Sequence, residues 1–187
     1  MHPWKHFCTI TKHRWAVRRH CFKVGMYWRG LVHDLSKYSP AEFCTGAKYY
    51  QGTRSPNSRE RELIGFSAAW MHHKGRNKHH YEYWTDLDLK TRKYVAMPMP
   101  RKYFAEMIMD RIAACKIYHG KNYTDADALE YLENSSEGRD NTMMNPQTKA
   151  ELHYILTMLK DCGEKETFSF IRKTVLKGKQ IIKDEEA

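Results

Sequence analysis

The chain lacks the cysteine pattern of a disulfide framework or of a zinc ribbon. Its five cysteines are odd in number and widely spaced, and no two of them form a CxxC pair. No apolar run approaches the about 20 residues that a membrane-spanning helix needs, and the N-terminal residues carry Trp, His and Lys where a signal peptide has an apolar core. We therefore expect a cytoplasmic protein with reduced thiols and no membrane partner.

Three familiar signatures and strand-like patterning are also missing. The sequence has no glycine-rich phosphate loop, no nucleophile elbow and no zinc-finger spacing. It shows no internal repeat and little alternation of apolar and polar residues. Its 187 residues, of which 41% are apolar and 13% aromatic, suffice for one folded domain. The prediction is a single all-α domain over residues 1–187, a compact helical bundle with a strand content near zero.

The charge of the chain is strongly positive. Lys and Arg number 32 against 22 Asp and Glu, which gives a formal charge of +10. Such an excess favours an anionic partner, which is a phosphorylated metabolite, a nucleotide or a nucleic acid. Because the cations are spread through the sequence, a merely solvated basic surface is the alternative.

Apolar spacing and the absence of proline predict one long helix over residues 5–35, with Gly25 and Gly30 as candidate breaks. Three histidines recur every seven residues on it and therefore share a narrow sector, from which one can reach a metal: His6, His13 and His20.

Caps, glycines and prolines predict the remaining boundaries. In the first half we expect a helix begun by the capping box Ser39-Pro40-Ala41-Glu42, a loop at residues 52–57, a helix from Asn57 or Ser58 to His73, and irregular chain at residues 74–100. In the second half we expect a helix from Pro100 to a C-cap at His119-Gly120 and a short helix capped by Thr124. After a loop at residues 137–145, we expect a helix that starts at Asn145-Pro146 and a last helix around Phe168. The tail at residues 183–186 should be frayed.

Histidines and acids together indicate a metal site. Borderline divalent metals favour imidazole and carboxylate ligands, and four of the eleven histidines fall within nine residues: His72, His73, His79 and His80. The adjacent pair His33-Asp34 can turn both side chains toward one ion. Asp110 is the sole acid in the apolar run 107–114 and needs a partner. An ion pair with Arg111 or a neighbouring helix and metal ligation are both open.

In order along the chain, His13, His33-Asp34 and Asp110 resemble the His, His-Asp, Asp pattern of the HD-domain superfamily of metal-dependent phosphohydrolases. The run His33-Asp34-Leu35-Ser36-Lys37 is similar to that superfamily's His-Asp followed by a small residue and Lys. Segments 9–13, 33–43, 54–57 and 70–80 look more closely like an uncharacterised family of bacterial and phage proteins placed in the superfamily. The resemblance spans about residues 5–118, so residues 124–180 would be additional C-terminal helices of an HD-like bundle.

The resemblance implies a first divalent ion, which would be Mn, Fe, Ni, Zn or Mg, on His13, His33, Asp34 and Asp110. It implies that Asp34 bridges to a second ion, for which the ligand candidates are His72, His73, His79 and His80. Adjacent residues of a helix point about 100° apart. We therefore expect that His72 and His73 do not serve one ion equally.

The implied activity is hydrolysis of a phosphate ester or diester, most plainly in a nucleotide or similar small anionic molecule, by a metal-activated water. We expect catalytic roles for Asp34, Lys37 and His73. Because Lys37 follows Asp34 by three residues and Lys74 and Arg76 lie among the histidines, we expect these three cations to hold the substrate phosphate. The plainer reading is a solvated Lys37, and cations at 74 and 76 that favour a helix dipole.

Two other functions fit the sequence. One is a binuclear-iron oxygenase, because relatives with the same ligand plan perform oxygen-dependent oxidation. The other is a non-catalytic protein that contacts nucleic acid through its positive charge and its aromatic, histidine-rich loop.

Overall fold

The computed structural model describes residues 1–134 and 143–182 of the chain. Within these residues it is mostly helical, which confirms the all-α prediction in its coarse form, and it contains one small sheet. The α-helices are α1 (Pro3–Lys23), α2 (Tyr27–Val32), α3 (Pro40–Lys48), α4 (Pro56–Ile64), α5 (Ala68–Lys74), α6 (Arg101–His119), α7 (Asp127–Asn134) and α8 (Pro146–Lys173). Short 3-10 helices span Leu35–Tyr38, Tyr81–Tyr83, Gly120–Asn122 and Val175–Lys177.

The single N-terminal helix predicted over residues 5–35 is wrong, because the chain bends between α1 and α2. Gly25 takes a left-handed conformation with φ of 87°, which costs little without a Cβ. Gly30 does not break a helix. It lies inside α2 at its contact with α1, where a Cβ would stand 2.9 Å from the Cβ of Cys21.

The helix predicted from residue 57 to His73 is likewise two helices. Gly65 ends α4 in a left-handed conformation, and the Ser67 hydroxyl accepts a hydrogen bond from the Trp70 N–H to cap α5. The cap of α4 is Ser55, one residue before Pro56, and its hydroxyl accepts from the Asn57 N–H. The sequence-based choice of Asn57 or Ser58 was two or three residues late.

Residues 74–100, predicted to be irregular, contain a β-hairpin. Strand β1 (Thr85–Asp88) pairs antiparallel with β2 (Lys93–Ala96). The Asp88 carboxylate organises the turn by accepting from the Lys90 N–H and the Thr91 hydroxyl. The hairpin lies largely exposed. Its short strands therefore lack the apolar alternation by which strands are recognised, and the prediction of almost no strand is corrected by this one sheet.

The C-terminal helices follow the predicted caps closely. The Asn145 side chain accepts from the Thr148 N–H at the start of α8, as expected. Thr124 lies three residues before α7, and its hydroxyl donates to Asp127. The helix predicted around Phe168 is the second part of α8, beyond a kink at Gly163. The loop predicted at residues 137–145 lies largely outside the described residues, and the tail predicted at 183–186 lies wholly outside them.

Helix α6 occupies the centre of the core. Its Phe104, Ile108 and Ile112 are almost fully buried and belong to one apolar cluster with side chains of α1, α7 and α8. Two acids, Glu106 and Asp110, lie on this apolar helix. The core therefore fixes the position of both carboxylates. In the described part of the chain, no helix is long and apolar enough to cross a membrane.

The three histidines of α1 are all buried, as their seven-residue spacing predicts. They meet different environments. His20 lies near the carbonyl of Met109, and the ring of His6 packs against α3 at Gly46. Burial lowers the pKa of His6 to about 4, with a further contribution from Lys37. His13 is the one of the three that reaches the acids of α6.

The contact between His6 and Gly46 makes a prediction about stability. A Cβ at position 46 would lie 2.2 Å from Nε2 of His6. We expect Gly46→Ala to lower the free energy of unfolding by about 1 to 3 kcal/mol through overpacking. In His6→Ala/Gly46→Ala, the added methyl should cost nothing beyond His6→Ala alone, because the clash is gone. Denaturant unfolding of the four proteins measures the coupling, and additive losses would contradict the close approach.

Candidate metal centre

The backbone at His33 and Asp34 turns both side chains inward. His33 ends α2, and Asp34 follows in a left-handed conformation with φ of 52° before the 3-10 helix begins. Such a conformation is costly for most residues and is best tolerated by Asn and Asp. The Arg14 side chain holds the turn by donating to the carbonyls of His33 and Leu31.

One carboxylate oxygen of Asp34 faces a first group of donors. Its Oδ2 lies 3.3 Å from Nε2 of His33 and 3.9 Å from Nε2 of His13. Asp110 joins them, because its Oδ1 lies 2.8 Å from Nε2 of His13 and 3.4 Å from Nε2 of His33. His13, His33, Asp34 and Asp110 thus converge as the sequence pattern predicts, and they form a group that could hold a metal ion.

The other carboxylate oxygen of Asp34 faces a second group. Its Oδ1 lies 3.4 Å from Nε2 of His73 and 3.4 Å from Nε2 of His79. The ring of His80 lies beside both histidines, with centroids 4.8 Å and 4.2 Å away. Asp34, His73, His79 and His80 form a second group that could hold a metal ion. Asp34 therefore belongs to both groups, with one oxygen directed at each.

The donor atoms have the geometry of ligands more than of hydrogen-bonding partners. Oδ1 of Asp34 and Nε2 of His79 and His80 are buried without a hydrogen bond among the described residues, whereas Oδ2 of Asp34 lies 2.7 Å from the Lys37 ammonium and Oδ1 of Asp110 lies 2.8 Å from Nε2 of His13. Two donors each about 2.1 Å from one ion, at angles of about 90° to 109°, lie about 3.0 to 3.4 Å apart. The contacts at 3.3 Å and 3.4 Å match that spacing, so the donor set fits a divalent ion.

Glu106 is a site residue that the sequence analysis missed. It lies one helical turn before Asp110 on α6, fully buried, and its Oε1 stands 2.9 Å from Nδ1 of His33 and 3.4 Å from Nδ1 of His79. A carboxylate at Nδ1 keeps the proton there and leaves Nε2 to bind a metal. The salt bridge from Arg29 to Oε2 balances the charge of Glu106. Its place in an apolar helix, four residues before Asp110, was the available signal.

Glu42 orients the second group in the same way. Its Oε2 lies 2.7 Å from Nδ1 of His73, and its Oε1 lies 2.7 Å from Nδ1 of His72. The prediction that the Ser39 and Glu42 side chains form a capping box is therefore wrong. Ser39 makes no side-chain cap, and the carboxylate binds histidines instead. The helix begins at Pro40 as expected, because the proline and the extended Ser39 suffice to start it.

His72 lies apart from the other predicted ligands. It is partly exposed, and none of the candidate metal groups found among the described residues includes it. His72 and His73 are adjacent on α5 and so point in different directions. Of the four clustered histidines, His73, His79 and His80 surround Asp34, which is consistent with the expectation that His72 and His73 do not serve one ion equally.

The charges at the centre compensate one another. Burial alone would raise the pKa of the Asp34 carboxyl, but neighbouring His33 and Lys37 hold it well below its usual range. Burial likewise disfavours a charged Asp110, and hydrogen bonding to His13 and His33 holds its pKa well below normal. The acids are therefore anionic at neutral pH. A divalent ion bound there would displace protons from the histidines, which couples metal affinity to pH.

Lys37 contacts the centre directly. Its ammonium lies 2.7 Å from Oδ2 of Asp34, and the side chain is mostly buried. Burial favours the neutral amine, yet the Asp34 carboxylate raises the pKa of Lys37 well above its usual value. The plainer reading of Lys37 as a solvated surface residue is thus wrong.

A cavity of about 610 Å³ opens onto the centre. His13, Lys37, His73, His80 and Asp110 lie in its wall. Further wall residues come from α3, α4, α6 and α7. The aromatic residues of the wall are Tyr50, Trp70, Tyr81, Tyr118 and Tyr131. Small-molecule sites have volumes of about 300 to 1,000 Å³, so the cavity has room for a molecule much larger than a phosphate ion.

The cations of the cavity differ from those predicted. Lys37, Arg54 and Arg111 line it, whereas Lys74 and Arg76 do not. Arg76 is exposed at the end of α5, beyond the C-cap Gly75. Sequence proximity to the histidines is therefore misleading here, because His73 and His80 line the cavity while Lys74 and Arg76, which lie between them in sequence, do not. For Lys74 and Arg76, the reading as cations at a helix terminus is the better one.

Of the comparisons with known proteins, the scan against protein families gives a match. A family model described as "Family of unknown function (DUF5662)" matches residues 2–158. The chain belongs to this family. No curated protein and no solved structure matches it. The matched residues include every member of the candidate metal centre.

The role of Glu106 can be tested by metal affinity. We expect Glu106→Gln to weaken binding of Mn or Zn about 10- to 100-fold, because an amide no longer fixes the protonation of His33 and His79. The matched control is Glu151→Gln, since Glu151 is also buried and paired with an arginine, Arg101, but lies on α8. Calorimetric titration measures both. Equal losses in the two variants would show that Glu106 acts only through stability.

Proposed function

We propose that the protein is a metal-dependent hydrolase of phosphate esters or diesters with an HD-like helical fold, acting on a nucleotide or a similar small anionic molecule. The observation that carries this proposal is the position of Asp34, whose two oxygens face two different groups of buried histidines. Its support from sequence is the order of His13, His33-Asp34 and Asp110, which resembles the HD-domain superfamily.

Two groups of side chains would hold the ions. His13, His33 and Asp110 would serve the first with Oδ2 of Asp34, and His73, His79 and His80 would serve the second with Oδ1. Imidazole-rich sites with one or two carboxylates suit Mn, Fe, Ni or Zn better than Mg, which prefers oxygen ligands. When bound, such ions polarise a phosphoryl oxygen and make a water molecule nucleophilic near neutral pH.

The protein's own groups would position the substrate. Lys37 lies at the cavity wall beside Asp34 and would donate to a phosphate oxygen once its carboxylate partner is engaged elsewhere. His73 has Nδ1 held by Glu42 and Nε2 directed at Asp34, so we assign it a ligand role and not that of a base. Arg54, whose guanidinium is paired with Glu62 and donates to Gln51, would meet an anionic group farther along the cavity by exchanging one of these partners.

The cavity also supports a substrate larger than a bare phosphate. Aromatic side chains in its wall offer apolar surface and ring faces, as a nucleoside or other cyclic group requires. An enzyme that acted on inorganic polyphosphate or on a small anion would need neither its volume nor its aromatic wall. The nucleotide class is thus preferred among phosphate esters.

The central test uses Asp34→Asn. Asparagine tolerates the left-handed backbone at this position, so the variant removes the charge without adding strain. We expect the wild type, reconstituted with Mn, Fe, Zn or Ni, to retain metal after desalting and to hydrolyse bis-p-nitrophenyl phosphate or a nucleoside monophosphate. The variant should lose metal and at least about 100-fold in activity. Elemental analysis measures the metal, the absorbance of released p-nitrophenolate measures hydrolysis of the diester, and a colorimetric phosphate assay measures hydrolysis of the nucleoside monophosphate.

The control for this experiment is Asp161→Asn, an exposed acid of α8, which should leave both metal content and activity unchanged. A wild type that holds no metal under any of these conditions would contradict the proposal. Substrate-dependent oxygen uptake by the iron-loaded protein would replace hydrolysis with oxidation as the reaction.

The cavity cations give a second prediction. A hydrogen bond to a charged group contributes about 1.5 to 3 kcal/mol, so Arg54→Ala should raise KM for the best nucleotide about tenfold or more and change kcat little. Arg76→Ala is the matched control, because this exposed arginine does not line the cavity. Steady-state kinetics decide between them. A raised KM in Arg76→Ala and an unchanged one in Arg54→Ala would place the anion outside the cavity.

A further inference from the structure

The beginning of the chain has a charge distribution unlike the remainder. Residues 1–33 contain no Asp and no Glu, but they contain seven Lys and Arg: Lys5, Lys12, Arg14, Arg18, Arg19, Lys23 and Arg29. This segment, which forms α1 and α2, thus supplies +7 of the formal charge of +10. The metal centre does not account for it, since only His13 and His33 belong to that site.

Three of the seven cations have partners inside the molecule. Arg14 donates to the carbonyls of the α2 terminus, Arg29 pairs with Glu106, and Lys23 pairs with Glu164. The other four form no ion pair with any residue in 1–134 or 143–182: Lys5, Lys12, Arg18 and Arg19. Lys5, Lys12 and Arg19 are exposed and recur every seven residues, so they lie in one row along α1. The row carries positive charge that nothing in the described protein neutralises.

The two N-terminal helices also carry exposed aromatic rings, and those of Trp4 and Trp15 lie on the same helix as this row. Trp4, Trp15 and Trp28 are 73%, 56% and 71% exposed, although tryptophan is a residue that folded proteins mostly bury. These are three of the five tryptophans in the chain. Such rings on a charged surface cost solvation and are typical of an interaction site.

The guanidinium of Arg18 extends the aromatic surface. It lies 4.9 Å from the ring centroid of Trp15 and 5.2 Å from that of Phe22, and Phe22 in turn meets the ring of Tyr27 edge-on at 5.2 Å. Flat π systems therefore continue from α1 to α2. We call this surface the outer face, defined by Lys5, Lys12, Trp15, Arg18 and Arg19.

We propose that the outer face binds single-stranded nucleic acid. Proteins that bind single strands combine cations that meet the phosphates with aromatic and arginine planes on which bases stack, and both occur here side by side. Association of two copies through this face would bring two uncompensated positive rows together, which is unfavourable. A face that inserts in a bilayer carries a broad apolar stripe, whereas cations interrupt the rings here.

The outer face and the metal centre are separate sites. The inward side of α1 carries His6, Ile10 and His13 to the cavity wall, and no residue of the outer face lines that cavity. Nucleic-acid binding therefore does not depend on the proposed hydrolase activity. An experiment can therefore disprove nucleic-acid binding without disproving the proposed hydrolase activity, and the reverse also holds.

The test is fluorescence anisotropy with labelled 12-nucleotide RNA and DNA of mixed sequence, titrated from low to moderate salt. Four phosphate contacts predict a slope of log K against log salt of about −2.8, and Lys12→Ala/Arg19→Ala should reduce it to about −1.4. Trp15→Ala should weaken binding about tenfold, as expected for the loss of one stacked base. Lys90→Ala/Lys93→Ala, which removes equal charge from the exposed hairpin, is the matched control and should bind like the wild type.

Further readouts separate this proposal from its alternatives. Asp34→Asn should bind the oligonucleotides like the wild type, and Trp15→Ala should keep wild-type metal content and thermal stability. The proposal is overturned if the outer-face variants bind no worse than the hairpin control. It is also overturned if vesicles containing anionic phospholipid bind the protein while both oligonucleotides fail, or if Trp15→Ala acts only by abolishing a dimer.

Discussion

The constraint on which the structure depends is the burial of one carboxylate, that of Asp34, whose Oδ1 has no hydrogen bond among the described residues. An isolated buried charge of this kind is very unfavourable. Here imidazoles approach both oxygens and the Lys37 ammonium reaches one of them. Burying so many polar groups costs folding free energy, and the metal ion that we propose for this centre would offset that cost when it binds.

Carboxylates behind the histidines show how the helices were arranged to serve this centre. Glu106 on the central helix α6 holds His33, and Glu42 on α3 holds His73. Each turns Nε2 of its histidine toward Asp34. Both carboxylates are buried and paired, and His33, His79 and Arg29 overcome the effect of burial to lower the pKa of Glu106 to about 2. The histidines thus lie next to Asp34, and the carboxylates of Glu106 and Glu42 lie behind them. Carboxylates commonly support metal-binding histidines in this way.

Much of the site was predictable from sequence because its members are unusual where they stand. Asp110 was recognised as an acid in an apolar helix and His33-Asp34 as an adjacent ligand pair. The helix starts at Pro40 and Pro146 followed from local cap chemistry. Local signals of this kind survive folding, since they concern only a few neighbouring residues.

What could not be predicted depends on contacts between distant segments. Glu42 satisfied a local capping rule, yet its carboxylate binds histidines 30 and 31 residues away. Lys74 and Arg76 lie close to the clustered histidines in sequence, but neither side chain lines the cavity. Arg54 belongs to the segment 54–57 that carries part of the family resemblance, but nothing in that segment predicts that Arg54 lines the cavity. Sequence separation carries no information about such approaches, and only the packing of α3, α5 and α6 decides them.

The most direct measurement of the central claim is anomalous X-ray diffraction from crystals of the manganese-loaded protein. The account predicts two anomalous peaks on opposite sides of the Asp34 carboxylate. One should be bounded by His13, His33 and Asp110, and the other by His73, His79 and His80. Well-ordered Asp34 and histidine side chains with no anomalous peak between them, or a peak only elsewhere on the protein, would contradict it.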